Sequence, residues 1–251
     1  MAYFNYKNQK VFYKTIGKGT PIILLHGNSV SSKMFKPIIK LYSKKYKLIL
    51  LDFPGHGKSD RVKKFETDFW HYNAEVTFEL IKHLELPKVH IIGTSGGALI
   101  GLNLALEHPE KIKSLIADSF EGEYPNKFYI SNLEKDRKKD KKKLISKLIW
   151  RYCHGKDWRK IVDQDTKVNI DFAKLGNSFF HQSIAKLKVP TLLTGSLKDE
   201  YCSHLDKVYR NLQLQNPDLN LYLFQQGFHP AILSNKKEFF QQAIHFINSN
   251  K

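Results

Sequence analysis

The chain has 251 residues, carries 41 Lys+Arg against 24 Asp+Glu for a formal charge of +17, and is 41% apolar before its 14 glycines are counted. That apolar share is average for a folded globular domain, which excludes a disordered chain, and the length suits a single α/β domain with one large core. Two cysteines, Cys153 and Cys202, exclude a disulfide framework and a cysteine-based zinc site, and no apolar run approaches the roughly 18 residues of a membrane span.

Residues 1–20 alternate polar and aromatic side chains, with no apolar stretch of secretory length and no small-residue cleavage site. A signal peptide is therefore not expected, and the default compartment is the cytoplasm. Within this stretch, residues 3–7 and 10–16 read as a β-hairpin turning at Asn8-Gln9. Six short apolar runs follow, at 21–25, 47–51, 89–92, 112–117, 190–194 and 219–224. Runs that are apolar on both faces suit strands covered by helices on both sides. Helical patterns alternate with them. One is capped at Ser31 or Ser32 and runs to Ser43; one is capped at Asn73 and runs over 74–86; others cover 96–108, 203–214 and 236–248, the last capped at Asn235. Such alternation implies a mostly parallel sheet with right-handed crossovers.

The alternation breaks once, after the strand ending at Asp118. Residues 119–186 hold no strong strand and read as a helical lid inserted into a core made of 1–118 and 187–251. Inside the insertion lies the basic run Lys135–Lys143, read as a solvated helix face or an exposed loop. Of the basic residues 36 are Lys and only 5 are Arg, and the surplus is spread along the whole chain. Base- and phosphate-reading surfaces favour Arg, so no specific nucleic-acid partner is expected; adventitious polyanion binding is the most the charge suggests.

The sharpest chemical signal is Gly93-Thr94-Ser95-Gly96-Gly97, which directly follows an apolar strand and opens a small-residue helix. In that context G-x-S-x-G is a nucleophile elbow, which exposes Ser95 Oγ at the carboxyl end of the sheet. A serine hydroxyl needs a base. His229, in Gly227-Phe228-His229-Pro230 after the last strand, is the candidate, while His26 and His56 lie in turns and read as structural. The base needs an orienting carboxylate: Asp199 lies past the 190–194 strand, with Asp118 as the competing acid and Glu200 as a lesser one. The backbone N–H groups of Gly96 and Asn28 are the expected oxyanion donors. Ser29, Thr94, Phe120, Trp150 and Phe228 are expected to line a substrate pocket, with Tyr124, Phe128 and Trp158 as further aromatic residues of the lid.

His26-Gly27-Asn28, the segment from Asp52 to Ser59, the serine turn, Gly195-x-x-x-Asp199 and Gly227-Phe228-His229-Pro230 together resemble the α/β-hydrolase fold superfamily. The likeness is to its lidded serine esterase, haloperoxidase-like and carbon–carbon hydrolase members, and it extends over the chain except the lid. It implies an eight-stranded, mostly parallel sheet flanked by helices, with the lid after strand six. It also implies a serine hydrolase acting on a small ester or related acyl compound. A lyase on the same scaffold, or a non-catalytic binding protein with a basic surface, are the alternatives. Neither H-E-x-x-H nor a phosphate-binding loop occurs, so no metal and no cofactor is implied. The expected partner is a small-molecule substrate.

Overall fold

The computed structural model describes residues 2–250, and the side chains of Phe128 and Tyr129 also lie outside the described residues. The strands are β1 (Ala2–Tyr6), β2 (Gln9–Ile16), β3 (Thr20–Leu25), β4 (Tyr46–Leu51), β5 (Val89–Thr94), β6 (Ile112–Asp118), β7 (Thr191–Ser196) and β8 (Asn220–Phe224). They form one sheet in the order β1-β2-β4-β3-β5-β6-β7-β8. The β1–β2 and β2–β4 pairings are antiparallel; every later pairing is parallel.

The first helices are α1 (Ile39–Tyr42), α2 (Phe69–His83) and α3 (Gly96–Glu107). The insertion carries α4 (Lys127–Asp140), α5 (Leu144–His154) and α6 (Trp158–Leu175). The C-terminal part carries α7 (Leu205–Gln215), α8 (Ala231–Ser234) and α9 (Lys236–Ser249). Strand residues alternate between two cores, as their period of two requires. Ile23, Leu25 and Ile91 pack with α2, α3 and α7, whereas Ile22, Leu24 and Ile92 pack with α1, α8 and α9.

Several boundaries differ from the sequence expectation. The hairpin turns at Lys7-Asn8, both with positive φ (44° and 64°), as a tight hairpin turn demands. The helix expected from Ser31 to Ser43 is two short pieces, a 3₁₀ turn at Ser32–Phe35 and α1; Pro37 between them cannot donate a helical hydrogen bond. Asn73 is not a cap. It sits buried inside α2, where its Nδ2 donates to Phe69 O at 2.8 Å. Asn235 does occupy the position before α9, but its side chain makes no cap; it donates instead to Ser196 Oγ and Gln226 O.

The strand order places the site. From β3 the chain moves to β4 on one side and later to β5 on the other, so the loops after β3 and β5 diverge and leave a crevice at their carboxyl ends. Leu25 lies level with Gly93, which puts the His26–Ser29 loop beside Ser95.

Candidate active site

Ser95 stands between β5 and α3 with φ 56° and ψ −127°, a conformation an L-residue adopts only when its surroundings impose it. The imposition is close packing of backbone on backbone. A Cβ on Gly93 would run into Gly97 O, and one on Gly97 would run into the carbonyls of Leu25 and His26. Only glycine fits at these two positions. Across the crevice, a Cβ on Gly27 would meet Ser95 Oγ at 3.6 Å, and Asn28 Oδ1 lies against Gly96. The backbones of Asn28 and Gly96 are thus close to Ser95.

His229 sits on the loop after β8 and Asp199 on the loop after β7, brought together because Ser196 and Phe224 are paired at the strand ends. Nδ1–H of His229 donates to Asp199 Oδ2 at 2.9 Å. The other oxygen, Oδ1, accepts from the N–H groups of Tyr201 (2.9 Å) and Cys202 (2.8 Å), so the carboxylate is held on both sides. Glu200 accepts from the His229 backbone N–H and does not touch its ring.

Asp118, the competing acid, is fully occupied elsewhere. Oδ2 accepts from Thr94 Oγ1 (3.0 Å) and Ile232 N (3.1 Å), and Oδ1 from Thr194 Oγ1 (3.0 Å) and Ser119 Oγ (3.2 Å). It ties β5, β6 and β7 to the start of α8, just past His229. Burial pushes its carboxyl up to about 6, against the pull of these hydrogen bonds. Thr94 is therefore not a pocket residue: it is buried and spent on Asp118.

Ser95, His229, Asn28 and Gly96 line one cavity of about 500 Å³, together with Ser29, Phe120 and Trp150. Phe228 does not reach it. Its side chain is exposed on the outer side of the His229 loop, because the short segment that points the histidine inward turns its neighbour out. Tyr124 is exposed, and Trp158 stacks on Trp150 (5.4 Å between centroids) within the insertion.

The insertion also supplies residues that carry no motif and were not expected. Asp165 on α6 is buried and accepts from Ser29 N at 3.0 Å, while Asn169 Oδ1 accepts from Asn28 Nδ2 at 3.1 Å. His154 on α5 accepts from Gly57 N at Nδ1, so its Nε2 bears the proton and donates to Ser29 O at 3.0 Å. Its burial lowers the ring to about 4 and keeps it neutral. The loop beside Ser95 is thereby clamped from above by two helices of the insertion. His26 serves the same loop from below. It accepts from Phe53 N and donates from Nδ1 to Gly27 O, consistent with a structural role.

Lys135–Lys143 is mostly a solvated face, laced by pairs such as Lys138–Glu134 and Lys143–Asp140. Arg137 is the exception. It turns inward, pairs with Asp165 at 3.4 Å, lies over the Trp150 ring and lines the cavity.

Glu121 lines the cavity too, its Oε2 accepting from Asn126 N, and burial pushes its carboxyl up to about 7. A carboxyl raised in the folded state favours folding while protonated, and that contribution is lost as pH rises from about 4.5 through about 7. Glu121→Gln is therefore expected to melt about 2–4 °C above the parent at pH 8 and to lose this advantage at pH 5. An equal difference at both pH values in thermal denaturation would refute the assignment.

Asp199, Cys202 and His229 have ligand-type atoms within 4.8 Å of one another, as do Asp68, His71 and His181 on the surface. In the first group Nδ1 of His229 is committed to Asp199, and burial with nearby carboxylates raises the Cys202 thiol well above its ordinary range, making it a poor metal donor. In the second, the two histidine rings stack in parallel at 3.7 Å, so their nitrogens do not converge on a common point.

The model of the alpha/beta hydrolase fold family matches residues 20–147. The pimeloyl-[acyl-carrier protein] methyl ester esterase of Legionella pneumophila (strain Lens) is 25% identical over 92% of this chain and 96% of its own. The protein of that name in Chromobacterium violaceum is 32% identical over a shorter stretch, 42% of this chain and 39% of its own length. The chain likewise matches 40% of the length of an (E)-2-((N-methylformamido)methylene)succinate hydrolase from Acinetobacter baylyi. Among solved structures, an esterase from Exiguobacterium antarcticum superposes with a TM-score of 0.76 over 98% of this chain and 99% of its own, at 19% identity, a likeness of fold.

Proposed function

The chain belongs to the alpha/beta hydrolase fold family, and from that premise we propose that it is a serine hydrolase acting on a small ester or related acyl substrate. One observation carries the reading: a strained serine shares a cavity with a histidine whose far nitrogen is bonded to a buried, doubly supported carboxylate. In this reading Ser95 Oγ attacks the carbonyl carbon while His229 Nε2 takes its proton. Asp199 holds the imidazole in the required tautomer and stabilises the imidazolium. The N–H groups of Asn28 and Gly96 receive the negative charge that develops on the carbonyl oxygen. His229 then protonates the leaving alcohol, and water, activated by the same ring, releases the acyl group.

Residues 119–186 act as the lid. Phe120, Trp150 and Ile149 offer the acyl chain apolar walls, and a cavity of about 500 Å³ is in the range of small-ligand sites. The likeness to a methyl ester esterase over nearly the whole chain supports an ester as the scissile bond. The reading requires no cofactor and suits a cytoplasmic protein.

The test is a fluorophosphonate probe followed by peptide mass spectrometry, alongside p-nitrophenyl esters of graded acyl length. The expected result is a single adduct on Ser95 and turnover of the shorter esters. A folded protein with no adduct at Ser95 would refute the proposal, and turnover that eliminates rather than hydrolyses would favour a lyase.

A further inference from the structure

The helix at the mouth of the cavity is inside out. On α5, Leu144, Ile145, Leu148, Ile149 and Tyr152 are between 47% and 71% exposed. At 100° per residue these five positions fall within about 140° of one another, so they form one continuous stripe rather than scattered exposures. The opposite side of the helix is satisfied: Trp150, Cys153 and His154 are buried against the rest of the insertion and the core. Contiguous exposed apolar surface of this kind marks an interaction site.

The surroundings of the stripe identify its partner. Residues 135–151 hold nine basic and only two acidic residues. Lys147 and Arg151 border the stripe on the helix itself, and Lys142 and Lys143 lie immediately before it. Ser131, Glu134, Lys135, Lys138, Lys139 and Lys142 edge a neighbouring shallow cleft on the same insertion, with lysines outnumbering the single carboxylate. A second copy of the chain would bring the same positive charges face to face, which like-charge repulsion opposes. An anionic bilayer offers both things the face presents a need for: acyl chains for the aliphatic stripe, and headgroups for lysines whose long stems let the ammonium reach the surface. The stripe is also continuous with the cavity, since Ile149 and Tyr152 belong to both.

We propose that α5 and the basic residues flanking it form a docking face for an anionic lipid bilayer, seating the cavity mouth at the membrane surface. No helix among the described residues is long and apolar enough to cross a membrane, so the contact is peripheral. Where the serine hydrolase reading holds, this orientation admits acyl substrates directly from the lipid phase; the docking itself is independent of turnover.

The experiment is co-sedimentation of the full chain with vesicles of phosphatidylcholine, alone or with about a quarter phosphatidylglycerol, at low and high salt. The parent is expected to sediment with the anionic vesicles, to be released by salt and to ignore neutral ones. The double variant Ile145→Glu/Leu148→Glu changes two exposed residues that do not line the cavity. It is expected to bind at least about tenfold more weakly, with melting temperature and short-ester hydrolysis retained. The charge variant Lys142→Glu/Lys143→Glu should weaken binding while leaving the stripe intact. Absence of sedimentation, equal sedimentation of parent and variants, or a dimer by light scattering that the Glu pair dissolves would overturn the proposal, the last by assigning the face to a second copy. An inactive protein that still sediments leaves docking standing and tells against the hydrolase reading alone.

Discussion

Alanine at position 95 is expected to lower kcat by about 10⁶-fold, leaving only the weak rate that substrate binding and the oxyanion donors supply. The size of the loss follows from the roles. In the proposed mechanism no acyl intermediate can form without Oγ, and neither His229 nor Asp199 can act on a missing nucleophile, so one substitution disables the set. The fold should survive, because the backbone strain at Ser95 is held by the close packing of Gly93 and Gly97 and not by the hydroxyl. Ser95→Gly is a useful companion. It removes the Cβ at φ 56° and should be more stable than Ser95→Ala by about 1 kcal/mol, while being equally inactive. Steady-state hydrolysis of a short p-nitrophenyl ester, with melting curves for both variants, tests the pair. An alanine variant with near-parental kcat would remove Ser95 from the chemistry.

The second large effect is expected at Asp199. Asparagine there can still accept from Tyr201 and Cys202, so the loop should keep its shape, but the amide turns an N–H toward His229 Nδ1. The imidazole must then carry its proton on the other nitrogen, where it cannot accept one from Ser95, and kcat should fall by about 10⁴-fold. Asp118→Asn is the control. It disturbs four hydrogen bonds that brace β5, β6, β7 and α8, so its main cost should appear in stability, with a far smaller loss in kcat. If Asp118→Asn instead matched Asp199→Asn in kcat while melting normally, the orienting role would belong to Asp118.

Sequence and structure contributed differently to this site. The strand-to-helix context of Gly93–Gly97 was readable because a strained turn restricts residue types: only glycine tolerates the close approach at 93 and 97. The proposed order Ser95, Asp199, His229 rests on each of these residues following an apolar run with turn residues behind it. The sequence points to Asp199 as the orienting acid with Asp118 as its competitor, and in the folded chain it is Asp199 that meets His229 Nδ1. Asp118 ends β6 and Asp199 lies just past β7, and the hydrogen bonds of the folded chain occupy Asp118 with Thr94, Ser119, Thr194 and Ile232 instead. Thr94 and Phe228 were misplaced for a related reason. Adjacency in sequence to Ser95 or His229 does not mean sharing a face, and a strand or tight loop sends neighbouring side chains in opposite directions.

The insertion was the least legible part. The break in strand–helix alternation marks where it is expected, but Asp165, Asn169, His154 and Arg137 belong to no motif. Each acts on a residue more than a hundred positions away, or in the case of Arg137 turns inward from a run that looks solvated along its length. The +17 charge changes meaning in the same way. As a sum it says little, because it is spread along the chain, yet beside the exposed stripe of α5 its local excess acquires a geometry. Sequence alone determined the strand succession, the elbow and the candidate chemical groups, since these depend on local periodicity and on residues whose conformational range is narrow. Tertiary structure alone decided which insertion residues clamp the loop beside Ser95, and which apolar side chains of α5 stay exposed, because contacts between distant segments depend on how the helices settle over the sheet and leave no periodic trace in the chain.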